Sequence, residues 1–421
     1  MDDLRNWLIN AEDYRNNFLD KLQCEFPAVL QNYSSITGHN KENDQSLCQW
    51  QLGGEILLRE IKNNPKFIDS SGEKYKVTLD EEYFEGSLDA EGDGIGRLQK
   101  NNKVNGLYDF LAIGKLINGK LEGKINERKS CTFFGDWFYI NGIRHGAYRK
   151  FNVSKDFQEV GFYKDGNKIA QFCLKYPGGC YFFGEWSIDG LLSDTCSFIY
   201  PDLNSAINGK FEIMRTERCV ELKLIEGYFG NIVGFNYKNG IHVPQIQINN
   251  KTKVKLEIST DKFLCRNPQL SEPYEQKTVY VASSKISKAG EGLFAKRCIE
   301  KGKIVSFYNG VRYLKKRSEG GKSYKSSDFR LNLDKFTDID IPQRYRNLEN
   351  YRATLGHKVC HTFDKDTLNV KFKNYYHPHF GSIIALVSTR DILTEEEILV
   401  NYNYKNIKRA PEWYKDLWKR H

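Results

Sequence analysis

The sequence predicts a mainly β protein: a stack of β-hairpins, then a second β fold built of short strands, with short helices at both termini. Three observations predict it. Glycine-anchored aromatic units recur about every 21 to 28 residues from Gly86 to Gly209, the range of solenoid repeats. Asp-Gly and Asn-Gly pairs sit where strands must reverse. From Val279 to the C-terminus, apolar runs such as VYVAS and IVSFY alternate with polar turns.

Residues 1–77 come first, as a helical and irregular region. Trp7, Leu8, Ala11, Tyr14, Phe18, Leu19, Leu22 and Phe26 recur at roughly helical intervals. The stretch QNYSSITGHNKENDQSLC (31–48) is polar and reads as a loop, and Leu57 to Ile61 as a short helix. No chemistry-bearing pattern appears there. Residues 78–242 hold the repeats, which begin YFEGSLDAEGDGIG, AIGKLINGKLEG, FFGDWFYINGIRHG, EVGFYKDGNKIA, FFGEWSIDG and, more weakly, INGKFEIM. One hairpin cannot bury its aromatic face alone, but stacked hairpins can. Residues 243–278 read as a polar, Pro-containing connector, and 279–421 as the last domain with a C-terminal helix.

Composition bounds the function. With 421 residues, 40% hydrophobic and 14% aromatic, the chain can bury two or three domain cores. No apolar run approaches the roughly 18 residues of a membrane span, and the acidic N-terminus lacks an export signal core. Ten cysteines are scattered without CxxC or zinc-finger spacing, so reduced thiols and no metal site are expected. The net charge of +9 favours acidic partners such as chromatin, nucleic acid or anionic lipid, but it is spread out. Its one concentrated run is Lys315, Lys316 and Arg317, then Lys322 and Lys325.

The segment AGEGLFAK (289–296) raises a choice between a phosphate loop and a strand. A phosphate-binding loop needs Lys-Ser/Thr directly after the glycines and a helix behind them. A dinucleotide fold needs a βαβ context. Leu-Phe-Ala and β-rich sequence follow instead, so the glycines serve close approach of a ligand to backbone. Three further segments belong with this one: LGHKVCHTF (355–363), HPHFGSIIALVSTRDILTEEEILVNYNY (377–404) and APEWYKDLW (410–418).

Together, in this order, the four segments resemble the SET domain of protein-lysine methyltransferases over about residues 279–418. The G-x-aromatic-x-x-G units in front resemble MORN repeats, which are read as scaffold or docking surface. The resemblance implies a β fold with a knot-like crossing, S-adenosylmethionine as cofactor, and a narrow channel for a substrate lysine. It places Ala289, Gly290, Glu291, His357, Cys360, His361 and Trp413 at the cofactor, Trp413 against its adenine. It makes Tyr402 the central catalytic tyrosine with Tyr308, and lets Tyr404 and Tyr308 line the channel. Tyrosines suit such a channel, because their rings exclude water and their hydroxyls hold an amine.

Four departures accompany the resemblance. Family members have Asn-His where this chain has Cys360-His361, and a thiol donates and accepts more weakly than an amide. One further channel tyrosine is missing; counting forward reaches Asn369 and counting back reaches Phe372, the preferred position. The basic run faces the substrate side, where like charge would repel a Lys/Arg-rich peptide. Leu417 stands where a cofactor-binding carboxylate is expected, and whether Asp416 substitutes is open. The expected partner is a lysine-containing protein, histone or not, met by a monomer in nucleus or cytoplasm without sequence-specific nucleic-acid contact. The competing reading is a catalytically silent binding or scaffold protein of the same architecture.

Overall fold

A computed structural model describes residues 75–420, apart from 80–81, 89–93, 102–107, 118–119, 131–132, 153–156, 216–219, 239–240, 250, 316–326 and 405–409. The expected N-terminal helices and most of the basic run (Lys316, Arg317, Lys322 and Lys325) lie outside the described residues. The hairpins form the stack that the sequence predicts. They join edge to edge into one antiparallel 14-stranded sheet, β1 (Tyr75–Leu79) to β14 (Ile241–Ile248), paired strictly in sequence order.

The turns follow their residues. Strands β6 (Phe133–Ile140) and β7 (Ile143–Asn152) are joined by Asn141 and Gly142, at φ 52° and 79°. Strands β8 (Phe157–Lys164) and β9 (Asn167–Tyr176) are joined by Asp165 and Gly166, at φ 49° and 82°. Positive φ at both central residues is the tight hairpin turn whose twist matches its strands. The repeat glycines have another cause. A Cβ on Gly135 would lie 2.4 Å from the Trp137 ring, and one on Gly184 2.8 Å from the Phe172 ring. Each glycine is thus a gap into which a large aromatic lies.

Gly209 is the most constrained of these positions, since a Cβ there would stand 2.2 Å from the Glu226 carbonyl oxygen and 2.5 Å from the Gly227 Cα. Backbone on the paired strand cannot yield as a side chain does. Gly209→Ala is therefore expected to destabilise the fold by about 1–3 kcal/mol, measurable as a lowered denaturant midpoint with an unchanged slope.

The sheet runs on to Ile248, into the stretch read as a connector, and the polar stretch after it is packed. It contributes buried Val254 and Leu264 and ends in helix α1 (Pro273–Thr278), where Tyr274 and Glu275 are buried. The composition hides this because the buried polar groups are paired. Beyond it stand β15 (Val279–Ser283) paired with β16 (Glu291–Ala295), and a five-stranded sheet. Its order is β17 (Ile304–Tyr308), β23 (Gly381–Ser388), β22 (Val370–His377), β24 (Leu399–Val400) and β21 (Cys360–His361). A smaller sheet joins β18 (Val311–Leu314), β20 (Thr337–Asp340) and β19 (Leu331–Asn332). Helix α2 (Glu412–Arg420) closes the chain, as expected. No helix of the described residues is long and apolar enough to cross a membrane.

One hydrophobic core runs through both halves, from Phe172 to Val400. At the seam Tyr176 meets Tyr375 edge-on with ring centroids 5.9 Å apart, and Tyr200 stacks on Tyr274 at 5.5 Å. A buried polar relay crosses it too. The His377 Nδ1 accepts the backbone N–H groups of His379 (3.1 Å) and Phe380 (3.4 Å). Its proton therefore sits on Nε2, which donates to the Tyr200 hydroxyl at 3.2 Å. The Glu272 carboxyl stands beside them, its Oε1 4.0 Å from the same Nε2. Burial holds His377 neutral, and burial followed by the charge of Glu275 pushes the Glu272 carboxyl well up.

Candidate active site

The site is assembled where the chain end crosses an earlier segment. Strands β21 and β24 pair in parallel, Cys360 beside Leu399 and His361 beside Val400. Thr362 N donates to Val400 O at 3.0 Å, and Asn369 N to Leu399 O at 3.2 Å. Asn369 is fully buried, and its amide is spent on this crossing. It donates to the Glu397 carbonyl (2.8 Å) and the Glu396 carboxylate (3.0 Å), and accepts from Leu399 N (2.8 Å). It is therefore a staple of the crossing. Phe372, the preferred alternative, lies edge-on to Tyr308 with centroids 6.5 Å apart.

Tyr308 ends β17 and is buried, and its hydroxyl donates to Phe329 O at 2.5 Å. Tyr402 follows β24, and its hydroxyl donates to Val359 O at 2.7 Å. Burial raises both phenols well above the usual range; the charges of Asp340 and then Tyr402 add to the shift at Tyr308. Tyr404, raised to about 12 by burial first, packs against Tyr414 at 4.6 Å and lies 6.4 Å from the Tyr402 ring.

His361 is the hub of an aromatic pile, with ring centroids 4.3 Å from Phe363, 4.7 Å from Tyr414, 5.1 Å from Tyr402 and 6.1 Å from Trp413. Its Nδ1 lies 3.1 Å from Tyr402 N and 3.2 Å from Val400 O, and serves one or the other according to tautomer. Burial pulls its pKa down to about 4, so the ring is neutral near pH 7. His357 sits in a one-turn helix at Gly356–Lys358 pressed against β17; a Cβ on Gly356 would lie 2.5 Å from Phe307 O. Burial, then the Lys358 charge, lowers its pKa to about 3.

The segment Ala289–Glu291 is exposed at the start of β16, with Gly290 at φ +77° and no atom within 4 Å of where its Cβ would be. The Glu291 carboxylate pairs with Lys358, which also donates to Arg346 O at 2.6 Å. The Cys360 thiol donates to Glu291 O at 3.5 Å. Trp413 on α2 keeps 39% exposure beside Tyr402 and donates weakly to Asp328 at 3.5 Å. Leu417 on the same helix is exposed, and Asp416 lies 3.9 Å from Lys419. Lys315, the described end of the basic run, is 3.3 Å from Asp338.

Three features fit S-adenosylmethionine. The backbone at Gly290 is open to close approach. The ring nitrogens of His357 and the Nε2 of His361 are buried without a protein partner, so they can meet polar groups of a ligand. The Trp413 face remains available for stacking. Lys358, Tyr414 and Glu397 escaped the sequence reading. Only Tyr414 carried a local signal, its place beside Trp413 in EWYKDLW.

The comparisons with known proteins agree with this geometry. The family model of the SET domain matches residues 290–403. Over 268 residues the chain is 33% identical to histone-lysine N-methyltransferase SETD7 of Halocynthia roretzi, covering 62% of this chain and 67% of that one. Among solved structures, an autoinhibited ctPRC2 bound to S-adenosylmethionine shares 25% identity over 34% of this chain and 17% of its own, at a TM-score of 0.23. The polycomb repressive complex 2 of Chaetomium thermophilum is similar, with 24% identity over 31% and 16% at the same TM-score. This chain thus spans only about a sixth of those chains, and such partial likenesses bear no weight on function. The fold and site define a SET-domain, S-adenosylmethionine-dependent protein-lysine methyltransferase. Within that class, the chain belongs to the SETD7 family.

Proposed function

We propose that the chain methylates a lysine of a histone or another protein, as a monomer acting in the nucleus, the cytoplasm or both. The observation that carries this reading is the state of its two buried tyrosines. Each hydroxyl has one proton, and each spends it on a backbone carbonyl, Tyr308 on Phe329 and Tyr402 on Val359. The lone pairs are left to accept N–H bonds from an amine. With both phenols held neutral by burial, they orient the amine and order a water that takes its proton; they do not act as phenolate bases.

When bound, S-adenosylmethionine supplies an electrophilic sulfonium methyl. The chain's own task is to present a neutral amine, since a free lysine titrates near 10.4. A channel walled by Tyr308, Phe372, Tyr402 and Tyr404 disfavours the ammonium by desolvation. Alignment in that channel accounts for much of the rate. Ala289, Gly290, Glu291, His357, Cys360, His361 and Trp413 form the cofactor side. The MORN-like sheet is read as a docking surface, with a role on chromatin suggested by the relative's name and by the net charge.

Phe372 sets the product. A phenyl ring in place of a phenol leaves space and no hydrogen bond, so di- or trimethyl-lysine is the expected product. Mass spectrometry after methyl transfer to histones and to arrayed cellular proteins tests this. Phe372→Tyr should shift the product toward monomethyl; a wild type that yields only monomethyl would sink the assignment. Absence of cofactor binding by calorimetry at millimolar concentration would favour the silent scaffold instead.

A further inference from the structure

The segment Ala289–Gly290–Glu291 is held in place by a residue that does not belong to it. Glu397 is buried (5% exposed), and no role in the site has yet been given to it. Its Oε1 accepts the Ser284 hydroxyl at 2.5 Å, and its Oε2 accepts Lys285 N at 2.8 Å. Ser284 extends the tie: its Oγ accepts Ile286 N at 3.0 Å, and its own N–H donates to Gly290 O at 2.8 Å. Ala289 N donates to Ile286 O at 3.1 Å. The loop 284–290 is therefore closed on itself; the Ser284 hydroxyl and the Lys285 backbone N–H both run to the Glu397 carboxylate, while Lys285 Nζ reaches Glu395 O at 3.3 Å.

The same carboxylate reaches the other wall. A Cβ on Gly292 would stand 2.5 Å from Glu397 Oε1, so the missing side chain is what lets it in. The Cys360 thiol donates to Glu291 O at 3.5 Å, at the end of the same loop. Glu397 is itself seated by Asn369 Nδ2 on its carbonyl (2.8 Å) and by the bridge between Phe294 and Glu397. Position 360, where the resemblance calls for an amide, thus meets the loop's end at the Glu291 carbonyl.

We propose that Glu397 is a positioning residue for the cofactor: through Ser284 and Lys285 it fixes the loop that presents Ala289, Gly290 and Glu291. The proposal rests on the assignment of that loop to S-adenosylmethionine. Two readouts separate the two claims. The first is amide hydrogen exchange on the cofactor-free protein. Glu397→Ala should speed exchange of the amides of residues 285–291 while leaving β17 and β23 protected as in wild type. The second is the dissociation constant for S-adenosylmethionine by calorimetry. It should weaken about tenfold in Glu397→Ala, with kcat at saturating cofactor within about twofold of wild type. Ser284→Ala should move both readouts in the same direction, and it serves where Glu397→Ala fails to fold. Glu397→Asp should restore part of both.

Unchanged exchange at 285–291 in Glu397→Ala or Ser284→Ala, with the rest of the sheet equally protected, would overturn the positioning role. So would a loss of kcat with unaltered cofactor affinity, or a general rise in exchange across all strands. A wild-type chain that binds no S-adenosylmethionine would overturn the cofactor assignment, and the exchange data would still decide whether Glu397 holds the loop.

Discussion

Tyr402→Phe should lower kcat by about a hundredfold while leaving the fold in place. The substitution removes one hydroxyl, which donates to Val359 O at 2.7 Å and offers its lone pairs to the substrate amine. The ring still fills its place between His361, at 5.1 Å, and Trp413, at 6.0 Å. Loss of an orienting group at a reacting centre typically costs on the order of 10²-fold. Loss of a single hydrogen bond costs about 0.5–1.5 kcal/mol of stability. Stopped-time methyl-transfer assays should therefore show the drop in kcat with cofactor affinity retained and the melting midpoint within a few degrees of wild type. A kcat within about threefold of wild type would remove Tyr402 from the catalytic role.

Glu275→Ala should give the largest loss of stability. The Glu275 carboxyl lies fully inside the protein and organises three segments. Oε1 accepts the Ser306 hydroxyl (2.5 Å) and Phe307 N (2.6 Å), and Oε2 accepts Leu355 N (2.8 Å). Removing it strands these buried donors, at about 1–3 kcal/mol each before relaxation. A loss of about 3–5 kcal/mol is expected, or roughly 10 °C in melting midpoint. Activity should fall as well, because the same bonds set β17, which carries Tyr308, against the turn that carries His357. The pH dependence has a definite sign. Burial raises this carboxyl from 4.5 to about 7, although the Phe307, Ser306 and Leu355 donors oppose the shift. A raised carboxyl stabilises the fold fully below its unfolded pKa, and that contribution is lost as pH rises through the folded value. The midpoint difference between wild type and Glu275→Gln should accordingly shrink as pH rises from about 4.5 to 7.

Much of this was legible along the chain, for reasons that are local. Asn141-Gly142 and Asp165-Gly166 dictate tight turns wherever they occur between apolar strands. The tyrosines at 308 and 402 were legible as candidates because each stands in a distinctive motif, IVSFYNG and EEEILVNYNY. Asn369 and Phe372 differ in their pairing. Asn369 is spent on residues 396–399, while Phe372 stands in β22 opposite Leu386. What escaped were partnerships across long sequence separations: Tyr200 with His377, Glu275 with Phe307 and Leu355, and Glu397 with Ser284. No spacing announces such pairs, and a buried Glu in a stretch like LSEPYEQK has the same polar signature as an exposed one. Periodicity fixes strand length and turn, but it does not say which strand edges meet or where the polar residues of 243–278 pack.

The parallel pairing of residues 360–361 with 399–400 has a consequence for biogenesis. A ribosome delivers Cys360 and His361 some time before it delivers the only segment that can seat them, and Trp413 and Tyr414 come later still. Strand β24 is itself a member of the five-stranded sheet, so that sheet is complete, and the groove closed, only after these later residues have been made. A message truncated upstream of codon 399 should yield a chain in which Cys360 and His361 lack their parallel partner and no methyl-donor pocket has ever existed.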